Sequence, residues 1–224
     1  MTTRNMMMLV CLVYGSAAFT VSAGTVDVTT ESAHDETYGM VATVDGKNDK
    51  AYVEDHHPAG EKTYSVDFWF HPGDMVLAPK TAHVIFQAVG AKPGGAAGDA
   101  RILEIEFKML ANNRMKIRAF SYYDDQTKIR KLATRAIRID ETGWNHLLLE
   151  WTASTNNESP NGLTQLSIIG GSRSGQTVEI ANRVPDQGLA IDKARMGVIS
   201  GVDATTFGSC HFDTFASYRT LAAQ

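Results

Sequence analysis

The apolar positions of this chain recur with period two rather than with the period of a helix, and each run is short. Thr63 to Pro72, TYSVDFWFHP, puts Tyr64, Val66, Phe68 and Phe70 on one face and Ser65, Asp67 and Trp69 on the other, the alternation of a half-buried strand. Gly143 to Trp151, GWNHLLLEW, follows a Gly-led turn and offers Leu147, Leu149 and Trp151 to a core. Further strands are expected over His83 to Val89, Leu163 to Ile169, Thr177 to Ala181, Arg195 to Ser200 and Cys210 to Tyr218. Gly, Asn, Ser or Pro separates them, as turns require. Only Ala190 to Arg195 hints at a helical turn. With no helical stripe of three turns, no internal repeat and no heptad pattern, the class is all-β, a sandwich or barrel.

Two neighbouring runs define a hairpin and its register. Arg101 to Leu110, RILEIEFKML, places Leu103, Ile105 and Phe107 on one face and Glu104, Glu106 and Lys108 on the other. Arg114 to Tyr122, RMKIRAFSY, turns Met115, Ile117 and Ala119 inward and Arg114, Lys116, Arg118, Phe120 and Tyr122 outward. A slip of one residue would exchange core and solvent faces along the whole strand, so the two apolar faces must coincide. A two-residue turn at Asn112-Asn113 is thereby excluded. A three-residue loop, Ala111 to Asn113, pairs Phe107 with Ile117 and Glu106 with Arg118.

The ends and the composition narrow the class. Residues 1–23 carry a single charge, Arg4, then an apolar run from Met6 to Val21 and small residues before a cut after Ala23, the pattern of a signal peptide. A secreted or periplasmic protein is expected, with no membrane span once the leader is gone. Without Arg4 the formal net charge moves from −4 to −5. The following stretch, residues 24–50, is polar and rich in Thr, Asp and Gly, and is expected to be an arm that adds an edge strand. Residues 51–224 then form one domain, long enough to bury roughly 70% of its unfolded surface. Cys210 is the one cysteine left after the leader; no internal disulfide is available, and a small buried residue in a strand is expected there.

Three stretches, in this order, resemble the laminin-G-like, concanavalin-A-like lectin-glucanase jelly roll: YSVDFWFHP at 64–72, GWNHLLLEWTAS at 143–154 leading to LTQLSIIGG at 163–171, and HFDTFASYRTL at 211–221. The resemblance implies a sandwich of two curved antiparallel sheets, one presenting a concave face on which family members hold sugar. It places Trp144, His146 and Asp213 at family-like positions, where such residues mostly fill the sandwich and satisfy neighbouring backbone groups. It raises calcium as a cofactor, but no calcium ligand can be matched in this chain, so no cofactor is expected. These are packing motifs, and one fold carries lectins, adhesion modules, hydrolases and lyases alike.

Candidate chemistry is sparse. Glu54, Asp55, His56 and His57 are the densest cluster of possible metal ligands, but neighbouring residues on an extended chain point apart, so a solvated loop is expected. Gly90 to Gly98 lacks the Lys-Ser/Thr ending of a phosphate cradle. Glu104 and Glu106 invite comparison with the E-x-D-x-x-E motif of sandwich-fold hydrolases, yet the middle aspartate and third acid are missing; an ion pair of Glu106 with Arg118 accounts for one of them. Between Arg114 and Arg138 stand eight Lys or Arg against two acids, Asp124 and Asp125. A positive field of this kind on an acidic protein suits an anionic ligand. Arg114, Lys116, Arg118, Phe120 and Tyr122 share one strand face, combining guanidinium forks with aromatic rings, and are the expected ligand-binding residues.

The expected function is an exported, non-catalytic carbohydrate-binding or surface-interaction module for an anionic polysaccharide, with no catalytic residue assigned. Nucleic acid is disfavoured by export and by missing recognition motifs. Two alternatives remain: a polysaccharide lyase or glycoside hydrolase on the same fold, for which Gln87, Arg118, Tyr122 and His146 are residues of the right type, and an adhesive or structural role with a protein partner.

Overall fold

A computed structural model describes residues 24–47, 49–56, 58–92, 97–110, 114–124, 129–156, 158–181, 184–186 and 188–219. In chain order its strands are β1 (Thr25–Thr29), β2 (Gly39–Asp45), β3 (Ala51–Asp55), β4 (Thr63–His71), β5 (Ala82–Ala91), β6 (Asp99–Met109) and β7 (Met115–Asp124). There follow β8 (Ile129–Ala133), β9 (Ile137–Arg138), β10 (Asn145–Thr152), β11 (Leu163–Gly170), β12 (Gln176–Ala181), β13 (Lys193–Ser200) and β14 (Phe207–Tyr218). The leader expected over residues 1–23 and the Ala111 to Asn113 loop lie outside the described residues, as do residues 93–96 of the glycine-rich loop. No described residue belongs to a helix, so none forms one long and apolar enough to cross a membrane.

The strands build a jelly-roll sandwich of two antiparallel sheets. The first runs β1-β2-β14-β4-β10-β11-β12 and the second β3-β13-β5-β6-β7-β8, with β9 pairing beside β8 along β7. Strand β10 lies in the middle of the first sheet, between β4 and β11. Its apolar positions meet apolar positions on both sides: Leu147 opposite Phe68 and Ile168, Leu149 opposite Val66 and Leu166. All six are essentially inaccessible to solvent. From the facing sheet Phe86 meets Phe68 at 6.0 Å between ring centroids, and Phe107 meets Phe70 edge-on at 5.3 Å. Burial of such side chains contributes roughly 1.5–3 kcal/mol each. Trp151 closes one end of this core and donates its indole N–H to the buried carboxylate of Asp186 at 2.9 Å. The second oxygen of Asp186 accepts from the Ser154 amide at 2.6 Å.

The hairpin register is the one that the apolar faces demand, with Phe107 opposite Ile117 and Glu106 opposite Arg118. Cys210 is buried, opposite Ala42. Two segments differ from expectation. Residues 24–50 supply two strands, β1 at the sheet edge and β2 inside it, with Met40, Ala42 and Val44 in the core. The helical turn expected at Ala190 to Arg195 is extended chain: Ile191 exchanges two backbone hydrogen bonds with Glu61, and β13 begins at Lys193. Ladder bonds to β3 and β5 on either side override a weak local preference.

His83 on β5 is 1% exposed, and neither ring nitrogen reaches a hydrogen-bond partner among the described residues. Burial holds its pKa below the ordinary imidazole value, with the field of Asp203 and the backbone of Ser200 opposing. Well above pH about 6.5 neither the folded nor the unfolded chain carries a proton there, and the group is silent. Below that pH the unfolded chain protonates first, so stability falls with pH by up to about 1.4 kcal/mol per unit. The urea midpoint of His83→Leu should therefore decline less than that of the wild type between pH 6.5 and 5; parallel curves would dismiss this role for His83.

Candidate functional site

Because the core faces share one parity, the outward residues of the second sheet also line up. Cross-strand pairing places Glu54 (β3), Arg195 (β13), Gln87 (β5), Glu104 (β6) and Phe120 (β7) in a single row perpendicular to the strands. The row is hydrogen-bonded almost end to end. Arg195 donates to Glu54 at 2.5 Å, to Gln87 at 2.9 Å and to Asp99 at 2.6 Å. Gln87 donates its amide to Glu104 at 2.8 Å, and the Tyr122 hydroxyl donates to the other Glu104 oxygen. His56 meets Glu54 at 2.8 Å. Glu54, Gln87, Glu104 and Tyr122 are all buried although no second sheet covers this face; their polar atoms are answered by one another. The expectation of a solvated loop at Glu54 to His57 is thus corrected. Glu54 and Asp55 belong to β3, and Glu54 is the buried counter-charge of Arg195; His57 lies outside the described residues.

Nearer the Met115 end of β7 the face turns basic. Lys108 stands directly opposite Lys116, and Lys116 opposite Arg138. Among the described residues neither lysine has an acidic partner. Arg118 places two guanidinium nitrogens on one oxygen of Glu106, at 2.6 and 2.8 Å, as the sequence suggested. Between these side chains and Leu110 and Ala136 lies an open hollow of about 190 Å³.

Of the five residues expected to bind ligand, Lys116 and Arg118 line this hollow, and Arg114 is exposed at the start of the strand. Phe120 and Tyr122 share their face but are only 3% exposed each, so their ring faces are not open to sugar rings. Cations occupy them instead: Arg118 lies 4.6 Å and Lys131 4.2 Å from the Phe120 centroid, and Arg101 lies 4.8 Å from that of Tyr122. Such contacts are worth roughly 0.5–2 kcal/mol. Burial, and then the adjacent Glu104 carboxylate, push the Tyr122 phenol far above its ordinary pKa.

His146 does not join Gln87, Arg118 and Tyr122. It projects from the outer face of the first sheet, hydrogen-bonded to Asp67 at 2.8 Å and stacked on Trp69 at 4.7 Å. Trp69 is covered in turn by His34 at 3.9 Å. Trp144 stands among His34, His71 and His211 on this face, not inside the sandwich. Gly170 makes room for the pair, since a β-carbon there would lie 2.7 Å from the Trp69 ring and 2.9 Å from the His146 β-carbon. Asp213 accepts backbone N–H groups from His34 at 2.6 Å and Asp35 at 2.9 Å, tying the β1-β2 loop to the sheet. The family-like positions are thereby explained as fold-holding contacts. Residues missed in the sequence are Arg195, Lys108, Lys131 and this His-Trp cluster. Lys108 was visible as an outward residue of its strand, Lys131 as part of the basic run, and Trp144 and His146 at family-like positions; Arg195 carried no local signal. No described group of three or more His, Cys, Asp or Glu is arranged to hold a metal ion.

The fold and this face define a jelly-roll sandwich with a polar, partly basic outer sheet. Solved structures share the fold at low sequence identity. A carbohydrate esterase of a Shiga toxin-encoding bacteriophage, phi24B, is 14% identical, with 89% of this chain and 88% of the other aligned at a TM-score of 0.58. Alginate lyase vAL-1 from a Chlorella virus is also 14% identical, over 88% of this chain and 90% of the other, at 0.55. A structure of botulinum neurotoxin type C, whose cell entry depends on interaction with two ganglioside molecules, is 9% identical over 92% of this chain and 44% of that one, at 0.56. No family model and no curated protein matches the chain, so the laminin-G-like resemblance stands at the level of the jelly-roll fold.

Arg195→Met should cost about 3 kcal/mol in chemical denaturation, because it leaves Glu54 buried without its guanidinium. Adding Glu54→Gln should recover most of the loss. Strictly additive losses would mean that the pair is not coupled.

Proposed function

We propose that the protein is an exported, non-catalytic carbohydrate-binding module, and that its ligand is an anionic polysaccharide held at the basic hollow. One observation carries this: Lys108 and Lys116 stand opposite each other across β6 and β7 beside an open hollow, and neither has an acidic partner among the described residues. Like charges directly opposite in a sheet are destabilising, and an acidic group bound between them would relieve the repulsion and gain charge-assisted hydrogen bonds. Glu106 does not compete for that role, since Arg118 already occupies it. The fold neighbours lend support, being a carbohydrate esterase, an alginate lyase and a toxin that interacts with gangliosides.

Replacing Lys108 and Lys116 together by alanine should lower affinity for polygalacturonate or heparin by at least about tenfold, about 1.4 kcal/mol, with the melting temperature unchanged or raised. Added salt should weaken wild-type binding. Equal affinity for neutral and anionic glycans, insensitive to salt, would sink the proposal.

Catalysis on the same face is the second reading, favoured by the Tyr122-Glu104-Gln87 chain of hydrogen bonds close to the hollow. A lyase needs a base to remove the proton beside a uronate carboxylate. The Tyr122 phenol keeps its proton at neutral pH, and both Glu104 oxygens are already hydrogen-bonded. Incubation with alginate, pectate and glycosaminoglycans is accordingly expected to release no ultraviolet-absorbing unsaturated product; its appearance would replace the binding assignment with a lyase.

A further inference from the structure

The cations of this face do not end at the hollow. They follow β7. At one end Lys116 is flanked by Lys108 and Arg138 in a cross-strand row. Two residues on, Arg118 rests on the Phe120 ring while paired with Glu106. Lys131, opposite Tyr122 on β8, reaches the same Phe120 ring. Arg101, from β6, lies over Tyr122 at the far end. Lys116 and Tyr122 are six residues apart on an extended strand, so the cations mark out a strip about 20 Å long at about 3.3 Å per residue.

Among the described residues the acids beside this strip are already answered, Glu141 by Arg138 at 3.7 Å. Glu106 is held by Arg118, and Glu104 by Gln87 and Tyr122 with the Arg101 guanidinium 3.6 Å away. Lys131, exposed, has no acidic partner among the described residues and uses the buried aromatic rings as a platform. Lys108 and Lys116 at one end and Lys131 at the other are therefore the cations without a described acidic partner, while Arg118 and Arg101 are paired with Glu106 and Glu104.

We infer that the ligand is an extended polyanionic glycan lying along β7, held at the Lys108-Lys116 hollow and again at Lys131 and Arg101, and not a single charged sugar seated in the hollow alone. This rests on the binding function proposed above and adds the ligand's length and direction. Two contacts on one chain multiply in affinity because the second engages at high effective concentration. A single-stranded nucleic acid is also a polyanion, but it binds by stacking bases on exposed aromatic faces. Here Phe120 and Tyr122 are buried beneath cations, which favours a ligand recognised by its charges.

The test uses a size series of oligogalacturonates and heparin-derived oligosaccharides, from disaccharides to chains longer than the strip. Calorimetry compares the wild type with Lys131→Gln/Arg101→Gln and with Lys108→Ala/Lys116→Ala, each checked by circular dichroism and melting. Wild-type affinity should rise by at least about tenfold between the disaccharide and the long chain. Lys131→Gln/Arg101→Gln should erase most of that rise while disaccharide binding stays as it was. If that variant binds long chains like the wild type while Lys108→Ala/Lys116→Ala abolishes binding, the extended mode is wrong and the hollow is a lone subsite. Absence of binding to every charged chain would overturn both the mode and the function. Tighter binding of a single-stranded oligonucleotide than of any glycan would overturn the ligand class.

Discussion

Two sheets can share one core only if every strand presents its apolar residues with the same parity, and most other features follow from that constraint. Phe68, Leu147 and Ile168 are cross-strand neighbours in the first sheet, and Phe107 and Ile117 in the second. Once these face inward, the side chains between them have no choice of face. Glu54, Arg195, Gln87 and Glu104, contributed by four strands, become a continuous row on the outside. The row is a consequence of registering the core, since a one-residue slip in any strand would send its member inward.

The outer face then has an electrostatic problem of its own. Carboxylates at Glu54 and Glu104 lie buried, and a buried charge is costly unless paired and hydrogen-bonded. Arg195 meets one, while Gln87 and Tyr122 meet the other. The cations beyond them have fewer acids to pair with and settle on aromatic rings. This division separates an internally satisfied half of the face from a half in which Lys108, Lys116 and Lys131 have no acidic partner among the described residues. The His34-Trp69-His146 stack on the opposite side of the molecule serves a different end, since with Asp213 it fastens the β1-β2 loop across the first sheet.

Much of this was legible in the linear pattern. Alternation identified β4, β10 and the β6-β7 hairpin, and the need for coincident apolar faces chose the hairpin register and the Glu106-Arg118 pair. The basic run from Arg114 put Lys116 and Arg118 on the outward face of β7, where the structure has them. It did not reveal that Phe120 and Tyr122 would be capped by Arg118, Lys131 and Arg101, because ring exposure depends on neighbours across two strand pairings. Met40 to Val44 is strand-like in sequence, but its polar flanks hid that β2 would lie inside the sheet rather than at its edge. The extended run at Ala190 to Arg195 was decided by Glu61, more than a hundred residues earlier.

Local alternation, turn chemistry and hairpin closure act over a few residues, so the all-β class, most strand positions and the outward face of β7 could be read from the order of amino acids. The buried row, the Lys108-Lys116-Arg138 line and the separation of His146 from Tyr122 depend on which distant strands become neighbours. Arg195 meets Glu54 across 141 positions and Gln87 across 108. Pairings of that range are selected by closure of the whole sandwich around its core, a cooperative choice to which no single stretch of sequence holds the answer.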